Sequence, residues 1–129
     1  MNYKFLSAGV SFAAVSVVLG AFGAHQLKEI VEAKDLVTWE TGCRYQMYHA
    51  LALILISMIS AEHKNLKRAG FFFSMGIFLF SGSLYFIALK DVLSMNLKFI
   101  GPLTPIGGLF FVAGWVSLLL FSISNVEKK

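Results

Sequence analysis

Charge is scarce in this sequence of 129 residues: Lys and Arg number eleven and Asp and Glu seven, 14% together, against roughly a quarter in an ordinary soluble domain. Cys43 is the single cysteine, so no intramolecular disulfide can form and no cage of thiolates can close around a metal. No run of cations is longer than two, which excludes the clustered positive face that nucleic acid requires, despite a net charge of +4. What abounds is apolar: 57% hydrophobic residues, 15% aromatic, and a mean hydropathy of +0.74. That composition excludes disorder, coiled coils and a water-soluble globule, and leaves a membrane protein.

All charged residues lie outside four stretches: Phe5 to Ala24, Tyr45 to Ala61, Ala69 to Leu89, and Phe99 to Val126. The first three contain 20, 17 and 21 residues. As helices they reach roughly 30, 25 and 31 Å, matching a hydrocarbon layer of about 30 Å. In the fourth, Thr104-Pro105 reads as a helix start, because Thr can cap first-turn amides and Pro at the first helical position loses no hydrogen bond. The helix is then expected from Pro105 to Ile123, after an apolar loop, Phe99 to Leu103, that lies in the interface or dips into the bundle. A cleaved signal peptide is the alternative for the first stretch, but its apolar run exceeds the roughly 7 to 15 residues of a signal core.

The reading is one all-α domain over residues 1–129, an integral membrane bundle of four transmembrane helices at about 5–24, 45–61, 69–89 and 105–123. Between the first two, His25 to Arg44 is expected to be a short amphipathic helix or loop on the membrane surface, with Trp39 as interfacial anchor. Four crossings put both termini on one side, with Lys4, Lys64, Lys67, Arg68, Lys128 and Lys129. Five cations remain on the other side, so the positive-inside rule places both termini in the cytoplasm by a thin margin.

In the second stretch only Ala50 to Ala61, 12 residues or roughly 18 Å, is purely apolar, so Tyr45 to His49 must enter the membrane as well. Polar side chains in a low-dielectric medium are costly unless they bond to one another. The topology gathers His25, Tyr45, Gln46, His49, Ser81, Ser83, Tyr85 and Thr104 in one half of the bundle, and a shared hydrogen-bonded cluster closed by the Gly101-Pro102 loop is expected. The alternative is that each is an interfacial residue solvated by headgroup water. Ser57, Ser60, Ser74 and Ser122 read as isolated hydroxyls bonded to their own backbone or packed between helices. Gly20, Gly23, Gly82, Gly107, Gly108 and Gly114 are expected to let helices approach closely.

Several motifs, taken in order, resemble one family. They are Gly20-Ala21-Phe22-Gly23-Ala24-His25, Trp39-Glu40-Thr41-Gly42 with Tyr45-Gln46 and His49, Leu79-Phe80-Ser81-Gly82-Ser83-Leu84-Tyr85, Thr104-Pro105-Ile106-Gly107-Gly108, and Ala113-Gly114-Trp115. Together they are similar to the domain-of-unknown-function family numbered 423, small bacterial inner-membrane proteins related to the eukaryotic transmembrane protein 256. The resemblance covers the whole chain and implies a four-helix, multi-pass protein of the plasma membrane, without implying an activity.

Four function classes follow. A structural or accessory membrane protein, binding lipid, a larger membrane complex or its own copies, needs no catalytic residues and suits a chain with short loops. A module for a small hydrophobic ligand or cofactor could use the polar half: Tyr, Ser and His can hold a quinone carbonyl, a lipid could sit there, and two histidines at one level could ligate haem. Transport is disfavoured because the four spans hold no Asp, Glu, Lys or Arg. Enzyme chemistry is not expected, since no acidic partner for His25 or His49 and no nucleophile motif lies within the spans. A zinc site lacks a third ligand there, so neither a metal nor any cofactor is required by the sequence.

Overall fold

A computed structural model of the protein describes residues 1–59 and 62–126. Among them there is no strand. The chain forms α1 (Tyr3–His25), a 3-10 turn at Leu27–Glu29, α2 (Ala33–Met58), α3 (Lys64–Gly76), a π turn at Ile77–Ser81, α4 (Gly82–Ala88), the short α5 (Lys90–Leu93) and α6 (Leu103–Val126). The π turn carries α3 into α4 without a break, so that Lys64–Ala88 is one rod of 25 residues. Ser60 and Ala61, the end of the expected second span, and the tail cations Lys128 and Lys129 lie outside the described residues.

Three helical stretches, Tyr3–Glu29, Lys64–Ala88 and Leu103–Val126, are long and apolar enough to cross a membrane. The expected fourth is not clearly of that kind. Instead of beginning near Tyr45, α2 starts at Ala33 and runs for 26 residues. Of the surface segment predicted from His25 to Arg44, the part from Ala33 onward is therefore the first half of this helix, and the part before it is the end of α1 and the 3-10 turn. The charges Lys34, Glu40 and Arg44 that suggested a boundary sit on its exposed side. Asp35, in the first turn, is buried at the end of the helix where the dipole favours a carboxylate. Trp39 is not an interfacial anchor: it is 4% exposed, and its Nε1–H donates to Leu19 O at 2.9 Å.

The helices pack through seams of period seven. On α1 the buried residues are Gly9, Ser16 and Gly23, each two helical turns from the next, and small enough for α2 to lie close. The antiparallel register is marked by Asn2 N to Ser57 O at 2.8 Å, Gln46 Nε2 to Phe12 O at 2.8 Å, Ser16 Oγ to Cys43 O at 2.8 Å, and the Trp39–Leu19 bond. On the other side, Thr104, Gly107, Phe111 and Gly114 of α6 meet Ser83, Phe80, Gly76 and Phe73 in turn. Spacings of three and four on both rods make this the same kind of seam. Phenylalanine and glycine alternate across it, so Phe111 lies against Gly76 and Phe73 against Gly114.

α2 lies between α1 and the α3–α4 rod, whereas α6 packs chiefly on that rod. A lateral groove therefore remains between α2 and α6. The buried core is continuous from Leu53 and Ile56 through Phe73 and Ile77 to Phe111, and a second cluster under the 3-10 turn joins Leu27, Trp39, Cys43 and Ala88. Large apolar side chains cover the outside instead, among them Val10, Val17, Val18, Leu109, Val112, Leu119 and Leu120. A soluble monomer does not expose such a surface, and lipid is its natural solvent.

α6 begins at Leu103, two residues before the expected start, through Leu103 N to Ile100 O at 3.0 Å. Pro105 still falls in the first turn, where no amide partner is lost. The loop before it does not dip into the fold: Phe99 is 91% exposed.

Candidate functional site

The predicted polar residues form three separate ties rather than one cluster. In the first, Gln46 spans three helices: its Nε2 donates to Phe12 O of α1 at 2.8 Å, and its Oε1 accepts from Tyr85 Oη of α4 at 2.7 Å. This pair of bonds fixes which way the amide points. In the second, Ser83 Oγ lies 2.6 Å from Thr104 Oγ1 and 2.8 Å from Phe80 O. Ser83 has one proton and gives it to the carbonyl, so Thr104 is the donor between the two hydroxyls. Thr104 thus links α6 to α4 rather than capping its own helix.

The third tie holds His49. Its Nδ1 sits 2.7 Å from Tyr45 O one turn earlier on α2, and Trp115 Nε1–H donates to its Nε2 at 3.2 Å. The carbonyl can only accept and the indole can only donate, which selects the tautomer with its proton on Nδ1. The imidazole lies flat on Phe111, with centroids 3.5 Å apart and planes inclined by 6°. Ser81 stands apart from all three, donating to Gly42 O of α2 at 2.7 Å from inside the π turn. Tyr45 is half exposed, and its ring packs on Phe80 at 4.8 Å.

His25 joins none of these. It is exposed at the end of α1. The level of His49 on α1 is marked by Gly9, which abuts Ala50. His25 lies sixteen residues further along, about 24 Å of helix, so the two histidines cannot serve one haem iron. Nor does the Gly101-Pro102 loop close over the polar residues, since Gly101 and Pro102 are exposed and nothing lies within 4 Å of a Cβ built at Gly101. Two of the ties rest on α2, at Gln46 and His49, and the third joins α4 to α6; they stay separate because each polar residue meets a different neighbouring helix. Ser57 and Ser74 bond to their own helix, at Ile54 O (2.6 Å) and Gly70 O (2.8 Å).

Of the predicted packing glycines, Gly107 lies against the backbone of Phe80, Gly23 under the Trp39 indole, and Gly114 under Phe73, while Gly108 makes ordinary contact with the Phe80 ring. Gly20 and Gly82 face open space and are not at a helix contact. Sequence reasoning missed Trp115, Trp39 and Ser16. Ser16 and Trp115 place a donor inside an apolar run, and a Trp N–H or Ser O–H at that depth needs an acceptor on a neighbouring helix; Trp39 stands among charges, which hid its burial.

Beside His49 the α2–α6 groove encloses about 440 Å³, walled by Tyr45, Tyr48, Phe80, Phe111, Val112 and Trp115. A larger cavity of about 700 Å³ lies at the far end, between Met1 to Phe5 and Ile56 and Leu66. It holds none of the predicted site residues, and its rim carries the exposed Lys67–Glu62 ion pair at 2.5 Å.

Fold and site together define an all-helical membrane protein whose helices are joined by buried side-chain hydrogen bonds. The family model described as "Protein of unknown function (DUF423)" matches residues 19–108, and the chain belongs to that family. It is 42% identical over 123 residues to the UPF0382 membrane protein SH2409 of Staphylococcus haemolyticus, covering 95% of this chain and 97% of the relative. It is 39% identical to a UPF0382 membrane protein of Haemophilus influenzae, covering 97% and 98%. It is also 34% identical to the UPF0382 membrane protein YwdK of Bacillus subtilis, covering 92% and 95%. No solved structure matches the chain.

Proposed function

We propose that this is a four-span protein of the plasma membrane, with both termini in the cytoplasm, that serves as a structural or accessory component and carries no reaction of its own. The observation that carries this reading is where the buried donors go. Ser16, Trp39, Gln46 and Ser81 each donate to a main-chain carbonyl of a neighbouring helix. Groups engaged in this way hold shape and do not line an ion path, and no charged residue lies within the four expected spans. The outer face is left to meet lipid and, in this role, a larger membrane complex or further copies of the chain.

For the fourth span, the support is the outward stripe of α2. It is charged at Lys34, Glu40 and Arg44 and turns apolar at Tyr48, Leu51, Leu55 and Met58, all of them exposed. The long Arg44 side chain can reach back to the interface from its position. A photo-crosslinking residue at Leu55 of α2 or Leu119 of α6, both exposed, tests the accessory role in intact cells. A discrete protein adduct at one of them is expected, and adducts to lipid alone at both would overturn it.

A second reading is favoured by the groove between α2 and α6: a module that binds a small hydrophobic ligand. Its volume lies within the roughly 300 to 1,000 Å³ usual for such sites.

A further inference from the structure

The geometry points to a neutral, quinone-type lipid as the molecule that the α2–α6 groove receives, with its ring head between the aromatic walls and its tail in the bilayer. This rests on the second reading above and names the ligand class.

Four observations select that chemistry. The walls are rings: Tyr45, Tyr48, Phe80, Phe111 and Trp115 surround the cavity, and aromatic faces favour a flat conjugated partner over a flexible acyl chain. No charged residue lines the groove, so an ionised headgroup would lose its hydration without compensation, and the ligand is uncharged. The polar capacity left over consists of donors. His49 has both ring nitrogens engaged, at Tyr45 O and at Trp115 Nε1, whereas the phenol hydroxyls of Tyr45 and Tyr48 have no hydrogen-bond partner among the described residues and belong to rings that are 39% and 52% exposed. A ring bearing carbonyl acceptors fits two free hydroxyls. Lastly, the α6 residues of the groove, Gly108 to Trp115, lie five to twelve residues from Leu103, roughly 8 to 18 Å into the helix. The ligand therefore arrives sideways from the hydrocarbon and must be lipid-soluble.

Trp115 makes the binding measurable. The only other tryptophan is Trp39, so the Trp39→Phe protein in lipid nanodiscs carries a single indole at the groove. Titration with a decyl-substituted benzoquinone is expected to quench Trp115 saturably. Val112→Phe, which fills the groove from an exposed position, should weaken that binding at least tenfold while the helix content and thermal melt stay unchanged. Tyr45→Phe with Tyr48→Phe keeps the walls and removes the donors, and should weaken it about tenfold.

A doxyl-labelled phospholipid separates the two levels of the argument. Saturable quenching by the phospholipid and not by the quinone, abolished by Val112→Phe, overturns the quinone assignment and leaves hydrophobic-ligand binding standing. Quenching by both probes that rises linearly and is indifferent to Val112→Phe overturns both.

Discussion

Gln46 is the residue on which the most interhelical bonding depends. Its replacement by Leu removes the bonds to Phe12 O and Tyr85 Oη together. Bonds of this kind are worth about 0.6 kcal/mol each on average in a membrane and up to about 1 to 2 kcal/mol. Gln46→Leu is therefore expected to destabilise by about 1 to 2 kcal/mol, read by thermal melts in mild detergent. Ser57→Ala should cost less, because the Ser57 hydroxyl serves only Ile54 O on its own helix. Ala is the informative replacement, since Ser57 is fully buried and a larger residue would overpack. Trp115→Phe leaves His49 Nε2 without its donor and should lower stability by about 1 kcal/mol, with a shift of the His49 side-chain nitrogen resonance as a second readout. In the sequence, Gln46 and His49 were legible as interior polar groups because a span of full length had to include them. Their partners were not: which backbone carbonyl or indole they meet depends on the register between helices, and an isolated helix carries no register.

At the scale of elements, the contacts between helices separate glycines that look alike in sequence. Gly107→Ala puts a methyl group against the Phe80 backbone, which cannot step aside, and is expected to cost about 1 to 3 kcal/mol. At Gly20 and Gly82 nothing lies within 4 Å. Alanine there should be neutral or stabilise by up to about 1 kcal/mol through its better helix propensity, and parallel melts of the three variants check the difference. The apolar helices were visible from the spacing of charges alone, to within a few residues at their ends. α2 was not, because charge marking finds where a helix cannot be immersed, whereas Lys34, Glu40 and Arg44 occupy one exposed stripe of a helix that continues through them. The seven-residue recurrence Gly9, Ser16, Gly23 was there to be read, but its meaning appears only once Trp39 and Cys43 lie opposite.

For the whole molecule, the topology is the testable quantity. Ala33 is exposed in the first turn of α2, and with both termini cytoplasmic a cysteine placed there should react with an impermeant thiol reagent applied outside intact cells. Labelling only after lysis would reverse the orientation. Cys43, the native thiol, is buried and should stay silent. That the chain is a membrane protein was evident from composition, since so little charge cannot cover a globule of this size. How α6 stands away from α2, and so leaves the groove, was not, because it depends on which pairs of apolar faces find each other when all are similarly greasy.

The ties from Ser16, Trp39, Gln46 and Ser81 share one property: each ends on a peptide carbonyl, which every amino acid supplies. Exchanging the acceptor residue therefore cannot delete the bond, and only the donor can be lost by mutation. In a saturation scan, position 19, whose side chain packs on the Leu27 and Trp39 cluster, should tolerate apolar side chains of similar size without loss of the bond, while position 39 accepts few. Such one-sided dependence lets half of each contact drift in sequence without the helices coming apart.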